Sequence, residues 1–138
     1  MSRVAQILRA VENHPLHRFI GVETIQAEGG RSTLEVTANE NSVNTSGAFH
    51  GGVAYMLCDM ACFAALMSEL PNGELIVTHD IHVSVMRAAK LGDRIHVAGR
   101  VLKRGRNIGF MEAEMSCNGQ IIAKATVTKS ILKPAATL

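Results

Sequence analysis

The sequence has no tryptophan, one tyrosine and four phenylalanines among 138 residues. Its core must therefore be aliphatic. Charge of one sign is also lacking: the formal net charge is +2, and the basic residues are scattered rather than run together. That excludes the basic stripe a nucleic-acid partner requires. Cysteine is scarce and odd in number, with three residues at 58, 62 and 117. This spacing excludes a secreted disulfide scaffold and fits a reducing cytoplasm. No stretch reaches the roughly 18 uncharged apolar residues of a membrane span. The segment Met1 to His14 carries charges and lacks the apolar run of a signal peptide.

What is present is an apolar fraction of 47%, ordinary for a globular chain. The length suits one domain, taken as residues 1–138, and repeats and linkers are absent. Val4, Ile7, Leu8 and Val11 predict a short amphipathic helix over about 3–13, ended by Pro15. Two β-type runs follow at 19–26 and 32–37, joined by a turn at Glu28-Gly29-Gly30-Arg31. Residues 39–47 read as a polar loop, a common place for function.

The stretch from Val53 to Met67 is apolar nearly all round. Its Ala, Leu and Met content favours helix, placed at about 52–69 and expected to be buried on every face. Four β-type runs end the chain, at 75–86, 94–102, 108–116 and 121–132, and their order suggests a meander. The Asn118-Gly119 pair is a strong hairpin signal. The pattern is α+β: an antiparallel sheet around one long central helix, with a short N-terminal helix.

Asp59 is the only charge in the apolar stretch from Val53 to Met67. A buried carboxylate must be paired, protonated or useful, and the residues leave a structural and a catalytic reading open. Eight residues upstream, Gly51 and Gly52 follow His50 at the expected helix start. The first N–H groups of a helix lack internal partners and lie at its positive end, so they can hold an oxyanion. Gly51 and Asp59 are about 12 Å apart along one helix at 1.5 Å per residue. A single substrate carbonyl cannot meet both. Two antiparallel copies of the helix can serve it, so the expected active unit is at least a dimer.

Asn44-Thr45-Ser46-Gly47-Ala48-Phe49-His50-Gly51-Gly52 followed by Met56-Leu57-Cys58-Asp59 resembles the hot-dog-fold acyl-CoA thioesterases of the phenylacetate-degradation (PaaI-like) group. Thr78-His79-Asp80-Ile81-His82-Val83 and Met86-Arg87-Ala88-Ala89-Lys90-Leu91-Gly92-Asp93 add to the likeness, which covers about 15–133. The resemblance implies a curved antiparallel sheet wrapped around the central helix. It implies a homo-oligomer, dimer or dimer of dimers, with sites at the dimer interface. It implies Asp59 as the carboxylate that attacks the thioester or activates water, and Gly51 as the N–H that polarises the carbonyl. Asn44 and His50 would order the site. No metal or redox cofactor is implied; coenzyme A enters only as part of the acyl-CoA substrate. Some relatives place a Ser where this chain has Arg87, so that helper does not carry over.

Coenzyme A brings phosphates, for which Lys90, Lys103, Arg104 and Arg106 are the candidate partners. Tyr55, Met56 and Phe63 are candidates for the acyl pocket, although plain core packing is the first reading for each. Cys58 and Cys62 share a helix face but read as small core residues. His79 and His82, three apart on a strand, fall on opposite faces by plain alternation, against a shared metal. Two rival functions remain: a hot-dog (de)hydratase, whose His-Phe-Pro or Asn-Pro-x-His signatures are absent, and a non-catalytic acyl-CoA-binding module, which has no need of Asp59.

Overall fold

The computed structural model describes residues 1–134; the last four residues of the 1–138 domain lie outside the described residues. Helix α1 spans Arg3–Glu12 and the short helix α2 spans Pro15–Phe19. Strands β1 (Val22–Glu28) and β2 (Arg31–Thr37) form a hairpin. Helix α3 runs from Gly51 to Met67. Strands β3 (Leu75–Val85), β4 (Arg94–Arg104), β5 (Ile108–Cys117) and β6 (Gln120–Leu132) complete the chain. All pairings are antiparallel in one six-stranded sheet of order β1-β2-β4-β5-β6-β3. This is the hot-dog arrangement, an open sheet around α3.

Three expectations need correction. Pro15 does not simply end the first helix. It occupies the first turn of α2, where its missing N–H costs nothing, so β1 starts at Val22 and not at 19. Only β4, β5 and β6 form a meander, because β3 crosses the sheet to pair with β6. Nor is α3 buried on every face. Leu57, Cys58, Ala61, Cys62 and Leu66 are fully buried, but Gly52, Tyr55, Met56, Asp59 and Phe63 form a stripe that this chain leaves partly open.

The β5–β6 turn behaves as its sequence predicts. Asn118 and Gly119 both have positive φ, 54° and 76°, the conformation of a two-residue hairpin whose twist matches its strands. Strand β3 departs from plain alternation. Its register shifts between Thr78 and Asp80, a bulge that leaves His79 unpaired in the ladder. Ile76 and Thr78 before the bulge, and Ile81 and Val83 after it, turn toward the core. Leu75 and Val77 are turned outward and left half exposed. The parity count that separated His79 from His82 therefore does not hold across this bulge.

Two local devices place α3 and the N-terminal helices. The Glu12 carboxylate is buried, accepts the Ile25 N–H at 2.8 Å and is gripped by Arg9 at 2.9 Å, which holds α1 against β1. On the sheet side, Gly99 lets α3 come close. A Cβ there would stand 2.6 Å from the Ala61 carbonyl oxygen and 2.7 Å from Ser32 Oγ, which donates to that same carbonyl at 2.6 Å. Gly99→Ala is therefore expected to push on a helix backbone that cannot give. Overpacking of this kind costs about 1–3 kcal/mol, or a Tm fall of roughly 4–12 °C at this chain length, read by calorimetry.

Candidate active site

Asp59 sits mid-way along α3 on the open stripe, with its side chain 33% exposed. Its Oδ1 accepts a hydrogen bond from Thr78 Oγ1 at 3.0 Å and from Lys129 Nζ at 2.5 Å. Lys129 Nζ also donates to Thr78 Oγ1 at 2.7 Å and lies 5.9 Å from the Phe63 ring centroid. Lys129 is 2% exposed. The carboxylate is thus paired and also opens into a cleft of about 300 Å³. Val11, Met56, Met60, Phe63 and Ile76 make its apolar walls, and His17, Thr78 and Lys129 its polar ones.

The loop before α3 is built by its own side chains. Asn44 Oδ1 accepts from the N–H groups of Ser46 and Ala48, at 2.9 and 3.0 Å, closing a tight turn. His50 caps α3, its Nδ1 accepting the Gly52 N–H at 2.9 Å. A side chain at Gly52 would meet the His50 ring at 3.1 Å, so the cap needs that glycine. Gly51 is different. It is exposed, a Cβ there would meet nothing within 4 Å, and its N–H finds no acceptor among the described residues. Nothing in the packing of its own chain explains why residue 51 lacks a side chain.

The structure brings together Asp59, Met56 and Phe63 in the cleft. Asn44, His50 and Gly51 gather at the N-terminal end of α3, away from Asp59 of the same chain. Tyr55 lies on the open stripe, 46% exposed, and does not line the cleft. Arg104 and Arg106 share a groove with Lys133, and Lys103 shares another with Arg31, Arg100 and Arg104. Lys90 stands apart, beside the Asn44–His50 loop through its bridge to Ala48.

Sequence reasoning assigned no role to Thr78, Lys129, Val11 or His17. A signal for Lys129 existed. On β6 it shares the inward parity of Ala123, Ala125, Val127 and Ile131, all buried, so a charge there requires a partner.

The cysteines take no part. Burial, and then the negative charge of Asp59, push the Cys58 thiol up to about 12. Burial pushes Cys62 to about 12, against the lowering pull of Lys129. Cys117 is raised too, by burial and then by Asp93. The nucleophilic thiolate is therefore scarce at neutral pH. Ellman's reagent at pH 8 is expected to leave Cys58 and Cys62 of the native protein unmodified over many minutes and to count all three thiols after denaturation. Among the described residues no three His, Cys, Asp or Glu side chains converge on a metal position, and no helix is long and apolar enough to cross a membrane.

Residues 46–124 match the thioesterase superfamily. The chain belongs to that superfamily. The match contains Gly51, Asp59 and Thr78 and leaves out Lys129 and the two N-terminal helices. Human acyl-coenzyme A thioesterase 13 is 29% identical over 95% of this chain and 99% of its own. Zebra fish thioesterase superfamily member 2 superposes with a TM-score of 0.81 at 34% identity, covering 92% of this chain and 94% of that one. A Streptococcus mutans protein solved bound to acetyl CoA superposes with a TM-score of 0.76 at 25% identity, covering 88% and 98%. Family and full-length kinship make this thioesterase a thioester hydrolase.

Proposed function

We propose that this thioesterase hydrolyses acyl-CoA to the free acid and coenzyme A, in a reducing cytoplasm, at sites that two copies of the chain complete together. The observation that carries this reading is Asp59, whose carboxylate opens from a buried network into an apolar cleft. The acyl chain fills that cleft and the thioester carbon comes up to Asp59. The carbonyl oxygen takes the free Gly51 N–H of the second copy, at the positive end of its α3. Asn44 and His50 hold the loop that presents this N–H. Arg104 and Arg106, which share a groove with Lys133, would receive the coenzyme A phosphates in this reading; Lys90 and Lys103 are the remaining candidates.

Two routes lead to product. In one, Asp59 attacks the carbonyl carbon, the C–S bond breaks, the thiolate leaves, and water opens the mixed anhydride. In the other, Asp59 takes a proton from water, the hydroxide adds to the carbon, and the sulfur leaves with a proton. Both need only a carboxylate and oriented N–H donors, with no metal or redox cofactor.

The second copy is supported by surfaces this chain leaves uncovered. Among the described residues edge strand β3 has only β6 as a neighbour, and Leu75, Val77, Val85 and Met86 along it are about half exposed. These half-exposed apolar side chains lie along an unpaired strand edge, which invites pairing with another copy, and Tyr55 on the α3 stripe is 46% exposed as well. Free-thiol release from a panel of acyl-CoAs, with the mass in solution measured by light scattering, tests the reading. Turnover of at least one member by a dimer or a dimer of dimers is the expected result. No release from any member, or full activity in a monomer, would reject it and turn attention to ligand binding or hydration of acyl thioesters.

A further inference from the structure

We propose that Lys129 is the positioning residue of the catalytic carboxylate, tying down Oδ1 of Asp59 so that Oδ2 is the oxygen presented to substrate. This rests on the reading of Asp59 as the catalytic group.

The argument starts from the strand. A lysine facing inward among Ala123, Ala125, Val127 and Ile131 is costly to bury, and a paired position in which two of its three ammonium protons find acceptors is what makes it tolerable. Lys129 Nζ makes two donations, to Asp59 Oδ1 at 2.5 Å and to Thr78 Oγ1 at 2.7 Å. The single hydroxyl proton of Thr78 goes to the same Oδ1, at 3.0 Å. The three groups therefore close a ring in which each donor and acceptor role is consistent. Two donors on one oxygen fix the rotation of the carboxylate about its own bond. Among the described residues Oδ2 receives no hydrogen bond, and the carboxylate is 33% exposed toward the cleft.

One oxygen is anchored and the other is offered. That is the preorganisation a reacting group needs, with the attacking atom held within about 3–3.5 Å of its target. The ammonium also offsets the cost of keeping the carboxylate anionic once an acyl chain has displaced water from the cleft. The bulge in β3 serves the same end, since it turns Thr78 inward. Lys129 lies outside the segment that matches the superfamily, so this support belongs to the chain's own last strand.

The test is a double-mutant cycle of Lys129→Met and Asp59→Asn on the full chain, reading kcat, KM and Tm with whichever acyl-CoA the wild type turns over. Lys129→Met alone is expected to lower kcat about 10- to 100-fold with KM changed by less than about threefold. In the Asp59→Asn background the same substitution is expected to cause no further fall in kcat, and to raise Tm by removing a buried ammonium that still has an oxygen acceptor there but has lost its countercharge. Should Lys129→Met not fold, Lys129→Leu, which likewise offers no donor to Oδ1, reads the same quantities. Wild-type kcat in the Lys129 variant beside an inactive Asp59→Asn would overturn the proposal alone. An equal fall in kcat in both backgrounds would overturn it as well, making Lys129 merely structural. Full turnover by Asp59→Asn would overturn it together with the catalytic reading of Asp59.

Discussion

Asp59→Asn is expected to lower kcat for thiol release by about 10²–10⁴-fold, the usual contribution of a positioned carboxylate, while the protein stays folded. Both proposed routes to product would pass through Asp59 Oδ2, and an amide can neither attack the carbonyl nor accept a proton from water. The choice of asparagine matters. Asp59→Ala would strand the Lys129 ammonium, which is 2% exposed and relies on Oδ1. Removing one partner of a buried pair costs about 3–5 kcal/mol, so loss of activity in the alanine variant would be hard to separate from loss of fold. Asparagine keeps an oxygen acceptor for both Lys129 and Thr78. Circular dichroism and Tm establish the fold, and steady-state thiol release gives kcat. If Asp59→Asn turns over at the wild-type rate, the carboxylate is a structural partner of Lys129 and the proposed chemistry is wrong.

Gly51→Pro should lower kcat by about 10²–10³-fold, the cost of losing one oxyanion donor, with little change in stability. The substitution deletes one N–H and does little else. Residue 51 is the first of α3, where proline is favoured because that N–H has no partner inside the helix. The residue before a proline must be extended, and His50 already is, with φ −67° and ψ 128°. A Cβ at 51 meets nothing within 4 Å of it in the chain. An unchanged Tm with a collapsed kcat identifies the N–H as the working part. Unchanged kcat would remove Gly51 from the site. Mixing the two variants adds a test of sharing. On the proposed sharing, neither variant alone would have an intact site, but a mixed dimer would have one, made of Asp59 from the proline variant and Gly51 from the asparagine variant. Recovery of activity on unfolding and refolding the mixture is expected. No recovery would mean that each chain builds its site alone.

Much of this site was legible before any coordinates. A lone Asp in a run of Val, Ala, Met, Leu and Cys is conspicuous because ionised groups are expensive in apolar helices. The spacing from Gly51 to Asp59, together with the fixed rise of a helix, was enough to ask for a second chain. Hairpin turns were legible for the same local reason, since Asn118-Gly119 tolerates the positive φ that a two-residue turn demands.

What sequence periodicity missed depends on contacts between residues far apart in the chain. Strand order was misread because neighbours in sequence usually pair, whereas β3 crosses the sheet to join β6. The bulge at His79 was invisible because one extra residue inverts a period-two pattern without changing composition. The pairing of Asp59 with Lys129 joins positions 70 residues apart, and no local rule links them. Apart from the short α2, the sequence by itself determined most of the elements, the central helix with its one charge, and the glycine-led helix start, because these follow from nearest-neighbour backbone and side-chain physics. Only the tertiary structure decided which oxygen of Asp59 is left free, which helices wall its cleft and which face of α3 stays open, because each of these is set by packing across the sheet.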